Sequence, residues 1–254
     1  MSTFESKKVI TIEDALELDK KIFLAIKAFR LQSLGSVAIE AVADRLNLEP
    51  FLEFLTNFNG SNGAPYHNYY HSTCVFLNCY EGAWLAKLDD EETRGLCAGA
   101  MLHDFNHSAG SLPDSDNIVT ALQGLKTAQT YAKSKLIGLS QRSYEIAEAV
   151  IKITQYPFTK DPETMPERII RDADLMQPYE ESPEQLFKQY IGLKKEIEIQ
   201  RQIVYTRNEF AEGVKKFQDA EINWHTEWAV EKAASRNWEM VKSNLAKLIS
   251  MSVQ

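Results

Sequence analysis

An all-α protein is what three features of the chain predict. Apolar residues recur at intervals of three and four along most of it, strand-type alternation is nearly absent, and turn formers are sparse, with 11 glycines and 8 prolines in 254 residues. No repeat and no linker rich in glycine or serine divides the sequence. The expectation is a single multi-helix domain over residues 1–254, with a core at about 66–179 and C-terminal helices at 184–251 packing on it. At average helix length this makes roughly eight to twelve helices.

In order, the first helix starts at Thr11 as its cap, carries Glu13 and Asp14 in its first turn, and aligns Ile12, Ala15, Leu16, Ile22, Phe23, Ile26 and Phe29 on one face. A second covers "SVAIEAVADRLNL" and a third "PFLEFLTNF", with proline in its first turn, before "NGSNGAP" breaks the pattern. Helical periodicity returns from His67 to Lys87. Acidic residues then open "DDEETRGLCAGAMLHDF", where Leu96, Ala100 and His103 share a face. The polar loop "NHSAGSLPDSDN" leads to "IVTALQGLKTAQTYAKSKL" and "QRSYEIAEAVIKIT", the latter closed by Tyr156-Pro157 because the residue before a proline disfavours helical geometry. A loop with Pro157, Pro162 and Pro166 precedes "RIIRDADLM", and Pro178 and Pro183 bracket a short acidic turn. Beyond Glu184 the chain reads as long helices. "KKEIEIQRQ" is a solvated face, Trp224 and Trp228 stand one turn apart, and Val241, Leu245, Leu248 and Ile249 form the last apolar stripe.

A formal net charge of -8 excludes a general phosphate-attracting surface, so no nucleic acid polymer is expected as a partner. A small anionic substrate is compatible with that charge if metal ions supply local positive charge. Cys74, Cys79 and Cys97 lie in apolar helical stretches with no close CxxC pair, and read as reduced core residues. The N-terminus "MSTFESKKVI" has no signal-type apolar segment and no stretch approaches the ~20 apolar residues of a membrane span, which makes a cytoplasmic location without a membrane partner the default expectation.

Four of the five histidines form two pairs spaced by four, His67/His71 and His103/His107; the fifth, His225, lies between Trp224 and Trp228 and reads as structural. On a helix that spacing stacks side chains on one face, although the second pair straddles a helix end. One such pair alone reads more readily as surface or core residues than as half of a metal site; two such pairs strengthen the metal reading. Asp104, at the end of the apolar run "CAGAML", favours metal, because a carboxylate entering a core needs a compensating charge. Asp172 and Asp174, taken alone, read as capping residues. With His71, His103 and Asp104 they can instead complete a set of two imidazoles and two carboxylates, suited to zinc, manganese or iron, with magnesium at a second, oxygen-rich position.

The order histidine, then His-Asp in "LHDFNH", then a distant aspartate resembles the HD superfamily of metal-dependent phosphohydrolases from about Tyr66 to Tyr179. More narrowly, "YHNYYHSTCV", "LHDFNHSAG" and "DADLMQP" resemble the three signatures of class I cyclic-nucleotide phosphodiesterases. The resemblance implies metal ligation by His71, His103, Asp104 and Asp174, the last preferred over Asp172 because it falls in the matching Ala-Asp-Leu triplet. It implies two divalent ions bridged by Asp104: zinc, manganese or iron at the first site and magnesium or manganese at the second. His67 would donate a proton to the leaving oxygen, and His107 would lie beside the second ion, its waters or the bound phosphate.

The implied activity is hydrolysis of a phosphoester in a small nucleotide-like substrate, most specifically a 3',5'-cyclic nucleotide, by metal-activated hydroxide. An HD-type nucleotide phosphomonoesterase and a non-catalytic metal-binding sensor module are the alternatives. Two departures stand out. The family's glutamate after the second signature is absent from "DSDNIVTALQG", leaving Asp116 or Asn117 for that place, and the family's purine-gripping glutamine has no C-terminal match beyond Gln202 or Gln218. "SDNIVTAL" also looks like a bacterial branch of predicted HD phosphohydrolases whose motif does not fix a substrate. Arg168 and Arg171 read either as steering a phosphate toward Asp174 or as solvated, salt-bridged residues.

Overall fold

The computed structural model describes residues 35–176, 183–220 and 223–235. The helix expected from Thr11, the turn at Pro178, Tyr179 and the stripe from Val241 to Ile249 lie outside the described residues. Within them the chain forms ten helices: α1 Gly35–Arg45, α2 Glu49–Phe58, α3 Tyr69–Leu85, α4 Asp90–Leu102, α5 Asp114–Ser134, α6 Gln141–Ile153, α7 Met165–Leu175, α8 Pro183–Arg201, α9 Arg207–Ala220 and α10 Glu227–Ser235. A 3-10 turn covers Gly60–Gly63 between α2 and α3. No strand occurs among the described residues, as the all-α reading expects. None of these helices is long and apolar enough to cross a membrane.

Helix starts follow local side-chain chemistry. Asp89 and Glu92 form a reciprocal capping box on α4, and Thr164 and Glu167 form another on α7, each satisfying backbone N–H groups that the first turn leaves open. On α3 the Asn68 side chain accepts from the N–H groups of Tyr70 and His71. That cap corrects the helical run expected from His67: the helix begins at Tyr69, and His67 lies in the bend before it.

α4 is the centre of the bundle. It packs on α3 and α6, while α7 lies across α3 and α2 lies on α5. Phe76, Leu77, Leu96, Met101, Leu102, Ile151 and Ile169 are fully buried there, and all three cysteines are free and buried, as expected. The closest approach of α4 to α6 depends on Gly99, where an added Cβ would stand 2.2 Å from a Val150 methyl and 3.0 Å from the Ala147 carbonyl oxygen. Gly99→Ala is therefore expected to destabilise the fold by about 1–3 kcal/mol through overpacking, measurable as a lowered urea midpoint with unchanged slope.

Two polar residues near the centre hold the frame. Arg171 is 4% exposed; its guanidinium donates to the Ile153 carbonyl at 2.6 and 3.1 Å and to the Lys160 carbonyl at 3.1 Å, and lies 3.7 Å over the Phe158 ring. It pins the 154–164 loop, which corrects both sequence readings of this arginine. Arg168 reaches the Pro162 carbonyl at 3.5 Å. Asp172, fully buried in α7, accepts from the His225 and Thr226 N–H groups and the Thr226 hydroxyl at 2.7–3.2 Å, so it caps the chain entering α10. Through its backbone, His225 belongs to that cap.

Candidate metal centre and adjoining cavity

Three helices converge on one point. α3 delivers His71 from its first turn, α4 ends at His103 with Asp104 just beyond, and α7 delivers Asp174 from its last turn. His71 and His103 are 1% and 2% exposed. The His103 Nδ1 lies 2.8 Å from the Ala100 carbonyl oxygen, a bond that places the ring proton there and turns the Nε2 lone pair inward.

The inward donors stand at coordination spacing. His71 Nε2 is 3.2 Å from Asp104 Oδ2, 3.1 Å from Asp174 Oδ1 and 3.3 Å from His103 Nε2; His103 Nε2 is 2.9 Å from Asp104 Oδ2 and 3.5 Å from Asp174 Oδ1. Donors at ~2.1 Å from a shared ion stand about 3.0 Å apart in an octahedron and about 3.4 Å apart in a tetrahedron. Asp104 Oδ2 is buried without a hydrogen bond of good geometry, although two imidazole nitrogens lie beside it. Mixed nitrogen and oxygen donors, polyhedral spacing and an orphaned buried oxygen together fit a divalent cation.

Without a cation, protons must hold this cluster together. Burial lowers the His71 imidazole, but Asp104 and Asp174 outweigh it and raise the group to about 9; His103 is likewise raised well above its ordinary value. Burial raises the two carboxyls, yet the histidines hold Asp104 well below and Asp174 below the carboxylate range. A raised imidazole stabilises the folded state fully below its unfolded value near ~6.5, and that contribution is lost as pH rises through the folded value. Metal-free protein is thus expected to lose thermal stability between about pH 6.5 and 9, the upper limit being the raised His71 value. Protein loaded with manganese should not lose it there, and its affinity for the ion should rise over the same window because binding releases protons. Melting curves with and without chelator measure both.

A second cluster flanks the first. The Glu196 carboxylate accepts from the Tyr66 and His67 backbone N–H groups at 2.7 and 3.2 Å and bonds His67 Nδ1. Burial would raise the Glu196 carboxyl, but the bonds from His67 hold it below its usual value. Glu196 is 2% exposed, which corrects the reading of "KKEIEIQRQ" as a wholly solvated face; Lys195 and the run from Ile199 to Gln202 are exposed as that reading expects. α8 can come this close because of Gly192, where a Cβ would stand 2.0 Å from the Pro65 carbonyl oxygen. Sequence reasoning missed Glu196, although a usable signal exists: it interrupts the apolar spacing Tyr190, Leu193, Ile197.

His67 reaches the centre from its bend, its ring 5.7 Å from His71 and 3.7 Å from His107. His107, beyond the left-handed turn at Asn106, receives the Ala109 N–H at Nδ1 at 3.1 Å and faces the Asn117 amide nitrogen with Nε2 at 2.9 Å. Asp114 lies 3.7 Å from the same Nε2. Of the two candidates for the missing glutamate, Asn117 is buried in this cluster and also accepts from the Ser108 N–H at 3.0 Å, whereas Asp116 is exposed. Gln202 is exposed at the end of α8 and does not line the cavity described next; the Gln218 side chain lies outside the described residues.

A cavity of about 370 Å³ opens beside His67, His107 and Asp174 and extends between the 154–158 loop and the α8–α9 pair. Its wall is largely aromatic, from Tyr156, Phe158, Tyr190, Phe210 and Phe217. The Tyr156 and Phe217 rings meet edge to face at 5.9 Å. Apolar walls with a polar reactive end suit a small organic phosphate.

No protein-family model matches the sequence, and no curated protein matches it. Solved structures do match the fold. The phosphodiesterase domain of the RhoPDE fusion protein from the choanoflagellate Salpingoeca rosetta is similar with a TM-score of 0.55 over 94% of this chain and 91% of that one, at 14% identity. LmjPDEB1 in complex with IBMX gives a TM-score of 0.49 over 93% and 90% of the two chains, at 16% identity. The likeness is one of fold: the chain shares the all-helical architecture of the first of these domains.

Proposed function

We propose that this chain, folded as a phosphodiesterase domain, is a metal-dependent phosphohydrolase that cleaves a phosphodiester in a small nucleotide-like substrate, a 3',5'-cyclic nucleotide being the best match. The observation that supports this reading is the convergence of His71, His103 and Asp104, with Asp174 within 3.5 Å of both imidazole nitrogens, beside a His67–Glu196 pair at the mouth of the cavity. His71, His103, Asp104 and Asp174 would hold a zinc, manganese or iron ion, and a magnesium or manganese ion would complete the pair. When bound, such a pair supplies Lewis-acid polarisation of the phosphoryl oxygens and a water acidic enough to ionise near neutral pH.

The chain's own residues supply the proton. With Nδ1 bonded to Glu196, His67 keeps Nε2 to protonate the departing oxygen. His107 accepts the Ala109 N–H at Nδ1 and packs its ring on His67. A structural ion site would need none of the His67–Glu196 pairing, which favours catalysis over a purely metal-binding module.

The deciding assay loads purified protein with manganese or zinc. It then compares a cyclic nucleotide and bis(p-nitrophenyl) phosphate with a 5'-nucleotide and p-nitrophenyl phosphate. Turnover of the diesters with little of the monoesters is expected. Turnover of the monoesters alone would instead make the protein a phosphomonoesterase.

A further inference from the structure

Three of the four candidate donors ride on a helix or its cap: His71 on α3, Asp174 on α7 and His103 at the end of α4. Asp104 does not. It opens the turn 104–107 beyond α4, in which the His107 N–H donates to the Asp104 carbonyl oxygen at 3.1 Å and Asn106 takes a left-handed φ of 56°. Side chains on a turn keep a fixed direction only where something outside the turn holds its backbone.

The holder comes from "NGSNGAP", the stretch that breaks the helical pattern after α2. Asn59, buried at the junction of α2 and the 3-10 turn, accepts the Asn106 N–H at Oδ1 at 2.8 Å, and the Gly60 N–H donates back to the Asn106 side-chain oxygen. The same Oδ1 accepts the Ser61 N–H at 3.2 Å. The buried Ser61 hydroxyl lies 2.8 Å from Asn59 Oδ1 and 3.2 Å from the Asp104 carbonyl oxygen, so its one proton is shared between them. Asn59 is itself held, its Nδ2 donating to Asn62 Oδ1 at 2.9 Å. On the apolar side of the turn the Phe105 ring stacks on Phe54 of α2 at 5.2 Å.

We infer that Asn59 and Ser61 are positioning residues for the metal centre: they clasp the backbone of turn 104–107 and thereby set the direction of the Asp104 carboxylate. Phe105 anchors one side of the turn by packing, and the clasp fixes the rotation that packing leaves free. The inference rests on the proposed function only for the ion held by His71, His103, Asp104 and Asp174. Groups that orient metal donors from outside the donor set typically change metal affinity by about 10- to 100-fold when they are lost.

The test measures manganese dissociation constants by calorimetry on the whole 254-residue chain, stripped of metal, with melting curves in chelator beside them. Asn59→Leu removes the oxygen that three donors share and should weaken manganese binding about 10- to 100-fold. Ser61→Ala keeps that oxygen and should weaken binding about 2- to 10-fold, the range of one ordinary hydrogen bond. Asn59→Asp also keeps the accepting oxygen but turns a second oxygen toward Asn62, so it should melt below wild type and still hold manganese within about 3-fold. Gly99→Ala, strained at the contact of α4 with α6, is the control for stability alone and should bind as wild type does. Affinity that simply follows melting temperature through the four variants overturns the inference, as does affinity unchanged in both Asn59→Leu and Ser61→Ala. Should Asn59→Leu fail to fold, the contrast of Ser61→Ala with Gly99→Ala decides. If the clasp variants lose affinity as expected while no diester is hydrolysed, the proposed function falls and the inference stands. If diesters are hydrolysed and the affinities do not move, the inference falls alone. A wild type that takes up no manganese overturns both.

Discussion

Asp104→Ala is expected to lose metal and hydrolysis together. Asp104 Oδ2 stands 2.9 and 3.2 Å from two buried imidazole nitrogens and has no other partner, so it is the carboxylate on which the cluster's charge balance turns. Removing one member of a buried charge cluster costs about 3–5 kcal/mol, or roughly 10²- to 10⁴-fold in ion affinity. Metal analysis after gel filtration, run beside a diester assay, measures both. Full metal occupancy in the variant would contradict the place given to Asp104. The variant should also melt earlier than wild type in chelator below neutral pH, where the raised imidazoles carry protons that Asp104 no longer balances.

His67→Ala should do the opposite, keeping the ion while turnover of a cyclic nucleotide falls about 10²- to 10⁴-fold, the range of a lost general acid. The loss should shrink on bis(p-nitrophenyl) phosphate, whose departing nitrophenolate needs little help from a proton. Glu196→Gln keeps an oxygen for the Tyr66 and His67 N–H groups but removes the charge facing His67 Nδ1, so its loss should be smaller and show the same dependence on leaving group. Because the carboxyl of Glu196 is held low, its stabilising bond to His67 is present above the usual carboxylate range and fades as pH falls through that lowered value. Equal loss on both diesters, or loss of metal from His67→Ala, would remove His67 from the role of acid.

The candidate donors, which the structure brings together, were legible because each sits in a short local pattern: a histidine four residues after another, a His-Asp pair ending an apolar run, and an aspartate late in an amphipathic helix. Helix order was legible for the same reason, since periodicity and caps are local. What escaped depends on contacts between distant segments. Glu196 meets His67 across 129 residues, and nothing near it in sequence distinguishes a buried carboxylate from the half-buried Glu198 two positions on except its place on the apolar stripe. Arg171 looked like a surface cation because the carbonyls that satisfy it, Ile153 and Lys160, come from a loop whose path the sequence does not specify. The start of α3 was misplaced by two residues because Asn68 could not be told from a helical residue without seeing its side chain accept from Tyr70 and His71.

The Gly192 contact gives the molecule two kinds of integrity. The four metal donors belong to α3, α4 and α7 and are fastened through the central core, whereas the carboxylate that equips His67 belongs to α8 and arrives only when that helix closes on the Pro65 carbonyl. Partial opening of a protein proceeds in cooperative segments of unequal stability. An opening confined to α8 would leave the four candidate donors in place and part Glu196 from His67; on the proposed function, metal content would then report the core and turnover would report whether α8 is closed.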